Sequence, residues 1–374
     1  FDKGLDPSAL FWYENIAVGI NICEDIWIDD GPAEEQVAKG ASIILNINAS
    51  PFDINKIDQR KELVKGKAKK LNVPIVYLNM VGGQDELVFD GGSFVVDKNG
   101  EFIYVAPQFK EDFFTFDIEL EVTDNVSESS LSLNEKNIKI EPLLSSNNLN
   151  KTESMYSALE LGLSDYVTKN KFEKVLVGLS GRIDSALTAT IACDALSPEN
   201  VIGVAMPSKY NPDSSLEDAK KLAKNLGIEI KEINIEDTVE NFRELLRNNT
   251  DEKLANVVDE NIQSRVRGNI LMALSNQLGA MVVSTGNKSE MAVGYATLYG
   301  DLVGGFALLK DVYKADVYNL ANYRNSISDV IPKSTILKEP SAELSNDQFE
   351  SDTLPDYDTL DKKIQHNMEE DISS

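Results

Sequence analysis

The sequence is poor in histidine and cysteine. Its 374 residues include one histidine, His366, and two cysteines, Cys23 and Cys193, which are far apart and form no CxxC motif. Neither a disulfide framework nor a thiolate zinc site is indicated. Catalytic triads that use an imidazole need that ring on a rigid scaffold, whereas His366 stands in a polar tail. Any nucleophile in this chain therefore needs a base other than histidine. Cys193 falls in an Ala-rich segment and is expected to pack in a core.

Positive charge is also scarce. The chain has 36 Lys and Arg against 62 Asp and Glu, a net charge of −26. Such a surface repels phosphodiester backbones and anionic lipids. No apolar run approaches the roughly 20 residues that cross a bilayer, and no signal-peptide pattern is present. We expect a cytoplasmic protein of two or three domains that binds neither nucleic acid nor membrane.

The first 120 residues alternate short β-branched apolar runs with helical segments. The pattern predicts strands at 15–22, 41–48 and 73–80 and helices at 32–39 and 57–71. A glycine-rich turn at 90–92 predicts a hairpin between strands 86–89 and 93–97, and a further turn is predicted at 97–100. Residues 121–151, rich in Ser, Asn and Glu, are expected to be a linker.

Regular strand–helix alternation after residue 151 predicts a doubly wound parallel sheet. Strands are predicted at 174–179, 201–206, 228–233 and 281–284, and helices at 153–169, 184–196, 215–226 and 257–277. Ser215 and Asp218 have the spacing of a capping box, and Gly227 stands where that helix should end. The overall fold class is therefore α/β.

A short polar loop lies between a predicted buried strand and an Ala-rich helix at 175–186. Helix N-termini present unpaired N–H groups, and small residues let a phosphate approach them closely. The loop is neither a GxxxxGK[ST] phosphate loop nor a GxSxG nucleophile elbow. A phosphate site is favoured, with a tight turn that binds nothing as the alternative.

The residues Ser180-Gly-Arg-Ile-Asp-Ser185 resemble the SGGxDS loop of ATP pyrophosphatases, which transfer AMP to a carboxylate or amide. Segments 260–269, 284–290 and 294–301 are similar to those of NAD synthetases within that group. The resemblance implies an ATP-pyrophosphatase fold, of the adenine nucleotide α-hydrolase-like kind, for residues 152–374. It also implies ATP-dependent amidation of deamido-NAD through an adenylate, with release of AMP and pyrophosphate.

The resemblance also implies roles for individual residues. ATP contacts are implied for Gly178, Leu179, Ser180, Gly181, Arg182, Ile183, Asp184, Ser185, Thr285, Lys314 and Ser341; deamido-NAD contacts for Asn261, Glu290 and Asp301; and Mg²⁺ ligands for Asp184 and Glu290. Carboxylate oxygens together with substrate phosphates suit Mg²⁺. The family is oligomeric, so a homo-oligomer is expected.

Arg182 departs from the family pattern, which has glycine at this position. If the backbone there has positive φ, an arginine costs on the order of 1–2 kcal/mol, and its side chain would compete for the phosphate cavity. Alternatively, the side chain points outward or clamps a phosphate with two hydrogen bonds. We expect reduced activity relative to a glycine-containing loop.

Cys23, followed by acidic residues and an aromatic, would alone be typical of a small buried hydrophobe. With segments 45–52 and 81–93 it resembles the nitrilase-like glutaminase domain of glutamine-dependent NAD synthetases. The resemblance implies the C-terminal half of an αββα sandwich for residues 1–120, with Cys23 as nucleophile on the glutamine amide. Ser50 and Lys56 match glutamine-binding positions, although Lys56 is as well explained as a surface charge.

In that family a Glu and a Lys complete the catalytic triad and precede the cysteine. Lys3 and Glu14 do not stand in the corresponding motifs, and the chain begins at Phe1, so we expect an N-terminally truncated fragment of a glutamine-dependent NAD synthetase. Two alternatives stay open. One is another amide-forming ATP pyrophosphatase, and the other is a degenerate protein that binds nucleotide without catalysis.

The incomplete triad predicts that this chain does not hydrolyse glutamine, because its thiol lacks both an activating partner and an oxyanion stabiliser. Glutamate release from glutamine is the measurement. Turnover that disappears in Cys23→Ala would contradict the prediction.

Overall fold

The computed structural model describes residues 6–120, 146–250, 255–345, 350–352 and 354–370. These residues form two compact units, Phe1–Ser154 and Met155–Ser374. Most of the predicted linker, residues 121–145, lies outside the described residues.

The first unit is built on a mixed sheet covered by helices. Its strands are β1 (Leu10–Tyr13), β2 (Ile16–Ile22), β3 (Ile43–Asn48), β4 (Ile75–Asn79), β5 (Val81–Gln84), β6 (Leu87–Asp90), β7 (Phe94–Val96) and β8 (Phe102–Val105), and its helices are α1 (Pro32–Ala38) and α2 (Lys56–Leu71). The main sheet has the order β1-β2-β3-β4-β7-β8, in which β2, β3 and β4 are parallel. The strands predicted at 15–22, 41–48 and 73–80 and both predicted helices are present, and these three strands are parallel.

The predicted hairpin around residues 90–92 is wrong. Strand β6 pairs with β5 across a turn at Asp85, whereas β7 joins the main sheet between β4 and β8. Gly91 and Gly92 both have φ of +60°, and they redirect the chain from one sheet to the other. The Ser93 hydroxyl then accepts a hydrogen bond of 2.9 Å from the Asn79 backbone N–H, which ties the next strand to β4.

The second unit contains a five-stranded parallel sheet with helices on both faces. Its strands are β9 (Val175–Gly178), β10 (Val201–Ala205), β11 (Glu229–Glu232), β12 (Met281–Ser284) and β13 (Phe306–Ala307), in the order β11-β10-β9-β12-β13. Its helices are α3 (Lys151–Lys169), α4 (Ile183–Leu196), α5 (Asp213–Leu226), α6 (Glu236–Arg247), α7 (Asn256–Leu278), α8 (Lys288–Val293), α9 (Lys314–Ile327), α10 (Lys333–Leu337) and α11 (Tyr357–Gln365).

Alternation along the strands explains the two faces. Val175 and Val177 of β9 pack into a core with α4, α5 and α9, while Leu176 packs on the opposite face against α6 and α7. The doubly wound sheet expected from the sequence is confirmed. Cys193 lies in the first of these cores, where burial raises the pKa of its thiol to about 12.

The predicted capping box of α5 is wrong. The helix begins at Asp213, two residues before Ser215. The Ser215 hydroxyl donates to the Glu343 carboxylate at 2.7 Å, and Asp218 accepts from the Lys338 ammonium at 2.7 Å. Both side chains therefore serve distant partners rather than the helix terminus. Gly227 ends the helix in the left-handed conformation, as predicted.

In the described part of the chain, no helix is long and apolar enough to span a lipid bilayer. The longest, α7, has 23 residues and carries charged side chains along its length.

A fully buried ion pair fixes the loop after β3 in the first unit. The Arg60 guanidinium donates to Asp90 at 2.7 Å, to the Ser50 hydroxyl at 3.2 Å and to the Ser50 and Pro51 carbonyls. Neither charged side chain is exposed. Removing one member of such a pair leaves an uncompensated buried charge.

Arg60→Ala is therefore expected to lower the free energy of unfolding of the first unit by about 3–5 kcal/mol. Both tryptophans, Trp12 and Trp27, lie in this unit, so urea denaturation followed by tryptophan fluorescence reports it selectively. Lys70→Ala, which breaks an exposed pair with Asp29, is the control and should cost under about 1 kcal/mol. Equal effects of the two variants would contradict the account.

Candidate active site

A cavity of about 490 Å³ opens in the second unit where β9, β10 and β12 end. Its lining includes the last residues of these strands or their neighbours, together with α7 and the segment around Ser341. Open parallel sheets bind ligands in this position, outside the carboxyl ends of their strands. The cavity is therefore the candidate active site of the second unit.

The predicted phosphate loop forms one wall of this cavity, between Gly178 and the start of α4. The backbone N–H of Ser180 donates to the Ser185 hydroxyl at 3.3 Å, and the two hydroxyl oxygens are 3.0 Å apart. Gly181 has φ of +77°, and a Cβ there would stand 2.1 Å from the Ser215 carbonyl oxygen. The loop thus presents small polar groups at the N-terminus of a 14-residue helix, as a phosphate site requires.

The backbone of Arg182 does not have the positive φ that would strain an arginine at this position. Its backbone has φ of −107° and ψ of 165°, which is extended and open to any residue. Its guanidinium pairs with the Glu343 carboxylate and donates to the Glu339 carbonyl. The backbone argument for reduced activity at this position is therefore wrong.

Two carboxylates and one ammonium meet beside the loop. The Lys314 Nζ lies 2.6 Å from Asp184 Oδ2 and 2.9 Å from Glu290 Oε1. Asp184 Oδ1 also accepts a hydrogen bond of 2.9 Å from the Asn287 side chain. The structure brings together the three charged residues that the sequence assigned to metal and ATP.

Burial dominates the electrostatics of this group. It raises the pKa of Glu290 to about 7, with repulsion by Asp184 adding to the shift and Lys314 opposing it. Burial alone would lower the pKa of Lys314, but the two carboxylates outweigh it and hold that pKa well above its usual value. A further positive charge would relieve the remaining repulsion between the acids.

Asp361 of helix α11 stabilises the cluster of Asp184, Glu290 and Lys314 through hydrogen bonds to neighbouring residues. Asp361 accepts hydrogen bonds from the Ser289 hydroxyl and, at 3.0 Å, from the Ala315 backbone N–H. The Ser289 hydroxyl in turn accepts from the Lys314 backbone N–H at 2.9 Å. The start of α9, and with it Lys314, is thereby fixed.

Asn261 and Asp301 line another part of the cavity wall. Asn261 accepts from the Thr297 hydroxyl at 2.9 Å, and Asp301 accepts from the Thr297 N–H at 2.7 Å and from the Ser264 hydroxyl at 3.1 Å. Thr285 and Ser341 are also in the lining.

Leu179 and Ile183 differ from the other predicted residues of the loop because their side chains belong to the hydrophobic core. Arg267, Glu343 and Glu350 line the cavity but were not among the predicted site residues. Burial lowers the pKa of Arg267 to about 10. The RxR spacing of Arg265 and Arg267 within a predicted helix was the available signal for Arg267; nothing local distinguishes the two glutamates from the other acids of this chain.

The donor set can be tested for a metal ion. Among the residues that the structure describes, no group of three or more His, Cys, Asp or Glu side chains forms a protein-only metal site. The carboxylates of Asp184 and Glu290 nevertheless provide two hard oxygen donors that face the same position. Mg²⁺ is commonly bound by one or two carboxylates plus substrate phosphates, so the residues fit this ion.

Cys23 lies in the first unit, directly after β2, where it begins a short 3-10 helix, Cys23–Ile26. Its φ is +48°, a conformation that L residues other than glycine adopt at a cost and that clusters at functional sites. The side chain is half-buried. Ser50 is buried against Arg60, and the Lys56 ammonium lies 5.6 Å from the centre of the Trp27 ring, four residues after Cys23.

Comparison with protein-family models gives two matches. Residues 155–374 match the NAD synthase family, and residues 6–128 match the carbon-nitrogen hydrolase family.

Curated relatives and solved structures agree with these models. The glutamine-dependent NAD(+) synthetase of Thermotoga maritima is 45% identical over 96% of this chain and 66% of its own length; that of Aquifex aeolicus is 43% identical over 100% and 68%. The chain thus spans about two thirds of the length of these relatives. The structure of the Acinetobacter baumannii glutamine-dependent NAD+ synthetase with ADP is 40% identical, with a TM-score of 0.81 over 99% of this chain and 65% of that one. NMN synthetase from Francisella tularensis is 29% identical, with a TM-score of 0.53 over 57% of this chain and 86% of that one.

Substitutions at two glycines of the second unit can distinguish the cost of backbone strain from the cost of a steric clash. Gly181 and Gly227 have nearly equal positive φ, but a Cβ at Gly227 meets nothing within 4 Å. Gly227→Ala should therefore cost about 1–2 kcal/mol of stability, and Gly181→Ala clearly more. The free energy of unfolding, followed by circular dichroism, measures both; equal losses would show that the loop does not pack against Ser215 as described.

Proposed function

Because the chain belongs to the NAD synthase family, we propose that it amidates deamido-NAD to NAD with ATP, releasing AMP and pyrophosphate. One observation carries the proposal: Asp184 and Glu290, which line a cavity at the strand ends, converge on the buried Lys314 beside the loop that precedes α4. Such a site positions a nucleoside triphosphate and offsets its charge, which is what adenylate formation requires.

ATP would place its phosphates on the loop of Ser180, Gly181 and Ser185, at the positive end of α4. Asp184 and Glu290 would hold Mg²⁺, which when bound neutralises phosphate charge and orients the pyrophosphate leaving group. Thr285, Lys314 and Ser341 would complete the nucleotide contacts. The relative from Acinetobacter baumannii was solved with ADP, which supports the binding of an adenine nucleotide.

The other part of the cavity would hold deamido-NAD through Asn261, Glu290 and Asp301. An oxygen of its nicotinate carboxylate attacks the α-phosphorus of ATP, and the bond to pyrophosphate breaks. Ammonia then attacks the carbonyl carbon of the mixed anhydride and AMP leaves, with loss of a proton from nitrogen. The chain contributes by aligning two anions and limiting their repulsion, so no histidine base is needed.

Where the Glu and Lys of the family's triad are also present, ammonia would come from glutamine: the Cys23 thiolate attacks the amide carbon, the amide nitrogen takes up a proton and leaves as ammonia, and water hydrolyses the resulting thioester to glutamate. The strained backbone at Cys23 supports this assignment, and Ser50 and Lys56 would bind the glutamine. We place the glutaminase region at 1–120 and the synthetase region at 152–374, in a cytoplasmic homo-oligomer, on the strength of the family resemblance.

The direct test is NAD formation from deamido-NAD, ATP and Mg²⁺, with ammonia or glutamine as nitrogen donor. Ammonia should support NAD formation with one AMP per NAD. Amidation of nicotinate mononucleotide in preference to deamido-NAD would favour another amide-forming ATP pyrophosphatase. Binding of deamido-NAD by calorimetry without any AMP formation would show a non-catalytic protein and contradict the proposal.

Asp184→Asn and Glu290→Gln should each lower kcat with ammonia by about 100-fold, because each removes a charge that holds the metal–phosphate cluster. Initial rates at saturating ATP over a range of Mg²⁺ concentrations measure the loss. Glu229→Gln, an exposed carboxylate of β11, is the matched control and should keep the parent rate. A rate unchanged in both site variants would contradict the metal assignment.

A further inference from the structure

We propose that Arg182 is a positioning residue that fixes residues 339–344, the cavity flap, against the phosphate loop by way of Glu343. The inference rests on the proposed function, because it takes the adjoining cavity to be the ATP site. It assigns a role to the one loop residue that departs from the SGGxDS pattern.

The Arg182 side chain runs from the phosphate loop to the flap. One guanidinium nitrogen donates to the Glu339 carbonyl oxygen and the other pairs with the Glu343 carboxylate, at the two ends of the same short segment. Both charged side chains are largely buried, with exposures of 15% and 6%. Since its backbone is relaxed, Arg182 makes this connection without distorting the loop.

Glu343 is held more firmly than a surface acid would be. It also accepts hydrogen bonds from the Ser215 hydroxyl at 2.7 Å and from the Asn211 side chain at 2.9 Å. Its φ is +51°, in the left-handed region. A strained backbone persists only where surrounding contacts enforce it, so the donors on its carboxylate, Arg182 among them, determine the conformation of the flap.

The flap carries a predicted ATP contact. Ser341 lines the cavity, and its hydroxyl accepts from the Glu343 backbone N–H at 3.1 Å. At the far end, the Leu344 carbonyl accepts from the Gln263 side chain at 2.8 Å. A shift of Glu343 would therefore move Ser341, whereas the other cavity residues would stay in place because other contacts hold them.

This arrangement reverses the effect expected from the sequence. Replacing Arg182 with glycine removes the tie to the flap and leaves the Glu343 carboxylate with fewer donors in a buried site. The substitution should therefore weaken ATP binding more than it slows the reaction, because the side chains of Asp184 and Lys314 are held by contacts that do not involve Arg182.

The test compares Arg182→Gly, Glu343→Gln, the double variant and Arg182→Lys by two measurements. Hydrogen–deuterium exchange of the ligand-free protein should accelerate about tenfold at the flap amides in both single variants, because a buried pair is broken. The KM for ATP in ammonia-driven NAD formation should rise by a similar factor, with kcat changed much less. The double variant should resemble each single variant, as expected for residues acting as one unit, and Arg182→Lys should recover part of the loss.

Arg324→Gln is the matched control, since Arg324 forms a half-buried pair with Asp194 away from the cavity; it should leave flap exchange and the KM for ATP unchanged. Additive effects in the double variant, or unchanged exchange in Arg182→Gly, would overturn the proposal. A higher KM in Arg182→Gly with a normal KM in Glu343→Gln would instead show that Arg182 binds phosphate directly. If the parent protein forms no NAD, the proposed function fails, while the exchange experiment still decides whether Arg182 fixes the flap.

Discussion

The ammonium of Lys314, buried between the carboxylates of Asp184 and Glu290, is the interaction on which the candidate site depends. Two acids this close together in a buried site repel each other, and burial penalises their charges further. Lys314 offsets both effects and keeps the carboxylates at one point. The cluster still carries a net negative charge of one, so a polyphosphate would enter it together with a divalent counter-ion.

The fold brings this cluster together from distant parts of the sequence. Asp184 lies in the first turn of α4, after β9, Glu290 lies in α8, after β12, and Lys314 is the first residue of α9. Because β9 and β12 are adjacent and parallel, the segments that follow them start at the same edge of the sheet. Asp361 of α11 then fixes the start of α9, so a residue near the end of the chain supports the ammonium.

Sequence patterns predicted what is local. Apolar runs located the parallel strands, and Ser180 to Ser185 marked the loop before α4. The hairpin at 90–92 failed because Gly91 and Gly92 carry the chain between sheets, and the capping box failed because Ser215 has a tertiary partner in Glu343. The role of Glu343 could not be predicted from the sequence for the same reason, because its partner Arg182 is 161 residues away.

The most direct test of the account is Mn²⁺ binding, measured by electron paramagnetic resonance in place of Mg²⁺. The account predicts that ATP greatly increases Mn²⁺ affinity in the parent protein, because phosphates complete a site that two carboxylates only begin. It also predicts that this increase is lost in both Asp184→Asn and Glu290→Gln. Mn²⁺ affinity that responds to ATP equally in the parent protein and both variants would place the metal elsewhere and contradict the account.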